Sequence, residues 1–92
     1  MIEHYEILWN LCEELHQQLS SDDPSSSIIQ ELILKVNLYQ TILQKTDIPE
    51  KERQEVKTRT FGEILLTLTN LSRREDVNVF EALGLAYQAR KS

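Results

Sequence analysis

Apolar residues recur along this chain at helical spacing, and four segments carry the pattern. In the first, Ile2 to Leu19, residues Tyr5, Leu8, Cys12, Leu15 and Leu19 follow at intervals of three and four, which places them on one helix face. Trp9 and Leu11 widen that stripe, while Glu3, Glu6, Glu13, Glu14, Gln17 and Gln18 lie mostly elsewhere around the helix. Residues 20–27 (SSDDPSSS) read as a connecting loop, because Ser, Asp and Pro compete with helical hydrogen bonding. A second helix is predicted from residue 28 to about 45. Ser27 is placed to cap it, with Gln30 three residues on in the capping-box position. Its apolar residues, among them Ile28, Ile29, Leu32, Ile33, Leu34, Val36, Leu38, Tyr39, Ile42 and Leu43, cover well over half its circumference. A helix apolar on nearly all sides is either central or packed against a second subunit.

Pro49 suits the first turn of a new helix, where its missing N–H is not needed. The following residues, 51–59 (KERQEVKTR), are almost wholly polar and fit either an exposed helical extension or a mobile arm. The apolar period resumes in a third helix from about 60 to 73, with Phe61, Ile64, Leu65, Leu68 and Leu71 as the expected buried stripe and Ser72 continuing its phase. Gly62 inside a helix costs about 1 kcal/mol relative to alanine, which points to something packing closely at that position. Arg73 and Arg74 complement the macrodipole at the helix end. The chain then turns over 76–79. Asn78 is placed to cap a fourth helix over 79 to about 90, with Glu81 three residues later and Phe80, Leu83, Ala86 and Tyr87 as its main face. There is no internal repeat and no hairpin pattern. The expectation is one all-α domain over residues 1–92, a compact four-helix bundle with short connections.

Composition narrows the function classes. Two Gly and two Pro in 92 residues are few turn formers for a β-rich chain. The net charge of −5 argues against nucleic acid as the main partner, which calls for a basic face. The one local basic patch, Arg73, Arg74, Arg90 and Lys91, leaves room for a small phosphorylated ligand. Cys12 stands alone between Leu8 and Leu15 and reads as a packed thiol. No apolar run approaches the roughly 18 residues of a membrane span, and the N-terminus is acidic without a signal pattern, so no membrane partner and a cytoplasmic location are expected. A chain of this length is modestly stable unless it oligomerises.

Few residues offer chemistry. His4 and His16 are twelve positions apart, about 120° around a helix, so they do not share a metal-binding face. Phosphate-binding glycine loops and GxSxG elements are absent. Carboxylates remain: Glu13, Glu14, Glu31, Glu63 and Glu81. Glu31 is the only acid of the second helix and Glu63 the only acid in the apolar part of the third, within IIQELIL and FGEILL. Acids on facing helices can hold a hard cation such as Mg²⁺. The plain alternative is an outward-facing charge on each helix.

Gly62-Glu63-Ile64-Leu65, the apolar Leu68 and Leu71, the turn Asp76-Val77-Asn78-Val79, Ala82 and the basic Arg90-Lys91 together resemble the MazG-like, all-α NTP pyrophosphohydrolase superfamily over about the last third of the chain. The resemblance implies an oligomeric helical protein, a dimer or tetramer. It also implies Mg²⁺ held by an EExxE-type motif on one helix and an ExxD motif on the next, with nucleoside triphosphates cleaved to monophosphate and pyrophosphate. This chain departs from both motifs. Thr60 and Glu63 stand where ExxD has its Glu and Asp. In the first motif Glu31 is the only acid, with Gln30 and Leu34 at the other acidic positions, or with Lys35 at the last one if the register shifts by a residue.

The leading expectation is therefore a non-catalytic or degenerate MazG-like helical protein that acts through self-association or a protein partner. The alternative is a divergent metal-dependent nucleoside triphosphate pyrophosphohydrolase, with Mg²⁺ on Glu31 and Glu63, aided by Glu13 or Glu14, and phosphates on Arg90, Lys91 or Arg73. A small regulatory helical protein outside that family is the third reading. Convergence of Glu31 and Glu63 beside another acid favours catalysis; leucines or solvent between them disfavour it.

Overall fold

The computed structural model describes residues 2–19 and 24–91, and these form four helices and no strand. The helices are α1 (Ile2–Leu19), α2 (Ser25–Gln44), α3 (Glu50–Glu75) and α4 (Val79–Lys91). Of the expected loop, residues 20–23 lie outside the described residues, while 25–27 form the first turn of α2. Pro24 is the reason. Its backbone is extended (φ −69°, ψ 152°), and its carbonyl accepts the N–H groups of Ser27 (3.0 Å) and Ile28 (3.2 Å). Ser27 is thus inside the helix rather than its cap, and no side chain caps this end. The Ser25 hydroxyl instead donates to the Glu75 carboxylate at the far end of α3.

Residues 51–59 are helical and continuous with the apolar segment, so α3 runs 26 residues, or about 39 Å. Strong helix formers (Glu, Lys, Arg, Gln) carry the helix where hydrophobic periodicity gives no signal. Glu50 and Glu52 favour its N-terminus electrostatically, and Pro49 sits just before the first helical residue. Arg53 fastens the α2–α3 turn, donating through Nη2 to Glu50 (2.7 Å) and through Nη1 to the Lys45 carbonyl (3.4 Å). At the other end Asp76 takes a left-handed conformation (φ 55°, ψ 45°), and the Val77 N–H bonds back to the Ser72 carbonyl at 3.0 Å. Asn78 then caps α4 as expected, its Oδ1 accepting from the N–H groups of Phe80 and Glu81, each at 3.0 Å.

Helix α3 is the central element, with α2 packed along it most extensively and α1 on a second side. Its buried face is not the predicted one. Phe61 is 50% exposed and Leu65 43%, while Ile64, Leu68 and Leu71 are half-buried. The buried residues of α3 are Thr60, Thr67, Thr69, Asn70 and Ser72. Small hydroxyl side chains let neighbouring helices approach, and they satisfy themselves on carbonyls of their own helix. Thr67 donates to Glu63 O (3.0 Å), Thr69 to Leu66 O (2.6 Å) and Ser72 to Thr69 O (3.0 Å). Among the described residues the buried apolar side chains are Ile28 and Ile42, both from α2.

So little apolar burial leaves the bundle open. The radius of gyration is 15.3 Å, against about 12 Å for a compact domain of this length, and the extents are 41 × 38 × 25 Å. The accessible surface is 7346 Å², where a closed monomer of 10.8 kDa would show about 5,500 Å². Helix α4 has no buried residue. The close packing expected at Gly62 is not supplied among the described residues: a Cβ placed there would meet nothing within 4 Å, and the same holds at Gly84. No helix among the described residues is long and apolar enough to cross a membrane.

Candidate functional site

The docking of α2 on α3 gathers the two acids singled out in the sequence, and it gathers them around a lysine. Lys35 is one turn beyond Glu31 on α2, so their side chains meet at 3.1 Å. The same Nζ lies 3.5 Å from Glu63 Oε2 and donates to Thr67 Oγ1 at 2.7 Å, both on α3. The lysine side chain is 23% exposed and each carboxylate 54%. The node therefore has a half-buried ammonium at its centre and two solvated carboxylates at its edge. Leu34, by contrast, points out of the bundle at 69% exposure.

This donor set does not suit Mg²⁺. A hard divalent ion prefers several oxygen ligands, and here an ammonium already occupies the space between the two carboxylates. Among the described residues no group of three or more His, Cys, Asp or Glu is placed to hold a metal. Glu13 is engaged elsewhere: its Oε1 accepts from Trp9 Nε1 (2.7 Å) and from Ser72 Oγ (3.0 Å). Glu14 and Glu81 are exposed. Arg90 and Lys91 form the last turn of α4, exposed, and among the described residues neither pairs with Glu31 or Glu63. The Lys91 ammonium lies 5.7 Å from the Tyr87 ring centre.

A second polar cluster joins α1 to the C-terminal half of α3. His4 is exposed, whereas half-buried His16 donates from Nε2 to the Leu66 carbonyl at 2.9 Å. Beside the Glu13–Ser72 contact a cleft of about 300 Å³ opens, walled by Glu6, Asn10, Arg73, Asp76 and Asn78. Arg73 donates from Nη2 to Asn70 Oδ1 at 3.0 Å, and its Nε is buried without a partner among the described residues. At the outer end Trp9 meets Phe80 edge to face at 6.0 Å, which attaches the start of α4 to α1.

The third feature is apolar. Between α1 and α3 a groove of about 400 Å³ is lined by Tyr5, Leu8, Cys12, Gly62 and Leu65, and by Phe80 of α4. Cys12 is half-buried in its wall, exposed on one side where the sequence pointed to a packed thiol. On α2, Ile29, Ile33, Leu34, Val36, Leu38 and Leu43 are all more than 40% exposed, so the broad apolar surface read from the sequence is real and uncovered by the chain itself.

Sequence reasoning had Lys35 only as an alternative end to a motif. The signal for its role was the Glu31–Lys35 spacing of one helical turn. Its reach to Glu63 and Thr67 depends on tertiary docking. Comparison with family models, with curated proteins and with solved structures finds no match for this chain.

Proposed function

We propose that the chain is a non-catalytic, MazG-like helical protein that works by binding, through self-association or a protein partner. The observation that carries this reading is the uncovered apolar surface on α1, α2 and α4, set against a buried apolar core of Ile28 and Ile42. Exposed patches of this extent mark interaction surfaces. The Lys35 node supports the non-catalytic half. Of the two registers that align α2 with an EExxE motif, the one ending on Lys35 faces α3, so a fixed positive charge stands where a metal-binding carboxylate belongs. That substitution neutralises the acids without supplying a ligand, a water-activating base or a Lewis acid.

The convergence of Glu31 and Glu63 on one point favours, as a second reading, a divergent metal-dependent nucleoside triphosphate pyrophosphohydrolase. It would need Lys35 to swing aside and further oxygen ligands to come from water or substrate. Two measurements on the full chain separate the readings. Isothermal titration with millimolar Mn²⁺ gives no binding if the protein is non-catalytic, and binding abolished by Glu63→Gln if it is an enzyme. Sedimentation velocity across the micromolar range shows association if the apolar faces are used between copies. A strictly monomeric chain that binds Mn²⁺ would overturn the proposal.

A further inference from the structure

We infer that α4 of a second copy seats in the α1–α3 groove of the first, and that two chains exchange α4 in this way across a two-fold axis. The inference rests on the self-association reading above and names its contact. Three observations lead to it.

The first is area. The chain exposes 7346 Å², about 1,800 Å² more than a closed monomer of its mass. Covering that excess on two copies would bury about 3,600 Å², within the range of obligate homodimers and beyond that of transient contacts. A second copy is thus an occupant of the right size, and the chain behaves as half of a core.

The second is α4 itself. It is 13 residues long with no buried residue, yet Leu83, Leu85 and Tyr87 are 67%, 65% and 59% exposed. Isolated helices this short are marginal in water. Its stripe Phe80, Leu83, Tyr87 has the spacing of a packing face, of which only Phe80, at the start of the helix, meets its own chain, on Trp9. At about 20 Å the helix is short enough to lie along α1 and α3.

The third is the pair of glycines. Gly62 and Gly84 are the only glycines of the chain, and each sits inside a helix with open space where a Cβ would project. Gly62 is one of the residues lining the groove, and Gly84 falls beside Leu83 on the stripe of α4. Neither is explained within one protomer. Set against each other between two copies, they let the helices cross closely, since the distance between packed helices follows the side chains at the crossing point.

The test uses the full-length chain, with circular dichroism to confirm helicity. Sedimentation equilibrium would compare wild type with Gly84→Leu, Gly62→Leu and, on the opposite surface, Leu34→Glu. The expected result is a wild-type dimer, at least tenfold weaker association in both glycine variants, and little change in Leu34→Glu. Because a leucine variant can fail to fold, a second measurement is independent of folding defects. Cys12 is the only native cysteine and lines the groove. Leu83→Cys or Tyr87→Cys, mildly oxidised, is expected to bridge to Cys12 of another copy and give a dimer on non-reducing gels. A wild-type dimer that forms no bridge and is unaffected at both glycines, but is lost in Leu34→Glu, overturns the α4 exchange and leaves the self-association reading standing. A helical chain that remains monomeric at all concentrations overturns both.

Discussion

Replacing Lys35 with methionine keeps most of the aliphatic stem and removes only the charge, so it isolates what the ammonium contributes. In the structure that ammonium meets Glu31 at 3.1 Å, Glu63 at 3.5 Å and Thr67 Oγ1 at 2.7 Å. The carboxylates are each 54% exposed, so the two ion pairs belong at the lower end of about 0.2–1 kcal/mol apiece. The bond to Thr67 involves a charged donor in a half-buried setting and is worth about 1 kcal/mol after solvent screening. Thr67 is not orphaned by the change, because its hydroxyl also donates to the Glu63 carbonyl at 3.0 Å. The expected destabilisation is therefore about 1–2 kcal/mol, and each kcal/mol lowers the melting temperature of a domain this size by about 4–8 °C. Urea denaturation at one fixed protomer concentration would measure it, since association contributes to apparent stability. Repeating the series in 1 M salt, where the screening length falls to about 3 Å, should recover the ion-pair share and leave the Thr67 share. Unchanged midpoints at low salt would refute the reasoning. So would a loss of the same size in a Glu31→Gln, Glu63→Gln background, which would mean that the two ion pairs contribute nothing beside the bond to Thr67.

Further outcomes follow from single contacts. Lys35→Glu should place a third carboxylate between Glu31 and Glu63 and create weak Mn²⁺ binding absent from wild type, read by calorimetry. Asn78→Ala removes the acceptor for the Phe80 and Glu81 N–H groups; it should cost about 1 kcal/mol and fray α4, visible as reduced helical ellipticity. Asp76→Gly relieves the one left-handed non-glycine residue among those described and should stabilise the chain by about 0.5–1 kcal/mol in a thermal melt. His16→Phe deletes the bond to the Leu66 carbonyl. Because Thr69 also donates to that oxygen, the expected cost is only about 1 kcal/mol in urea.

The helices were legible in the sequence where apolar residues repeat, as in Tyr5–Leu8–Cys12 and Phe61–Ile64–Leu68, and so was the Asn78 cap. The extension over 51–59 was ambiguous because propensity, not periodicity, makes it helical. The start of α2 was misplaced because Ser25, Ser26 and Ser27 are equivalent as caps, and Pro24 decides among them by its fixed backbone. The buried face of α3 was missed for a different reason. Hydrophobic periodicity takes Phe61 and Leu65 as core and passes over Thr67 and Thr69, whose hydroxyls bond within their own helix and so tolerate burial; only Ser72, which continues the apolar phase, was in reach of the pattern. At the candidate site, Glu31 and Glu63 were identifiable as acids in apolar surroundings, but their joint engagement by Lys35 is a property of how α2 lies on α3.

That hydroxyl face gives α3 the character of a smooth rail. Large interdigitating side chains act as teeth that fix where one helix stands along another, and Thr67, Thr69, Asn70 and Ser72 offer few. The axial position of α1 is set by two clamps, His16 on Leu66 and Glu13 on Ser72. That of α2 is set by Lys35 on Glu63 and Thr67, by Ser25 on Glu75, and by the edge-to-face contact of Tyr39 with Phe61. A change at a clamp would let its helix slide along α3 before it detached. Drift in sequence at those few points is therefore a route by which this architecture shifts register while keeping all four helices.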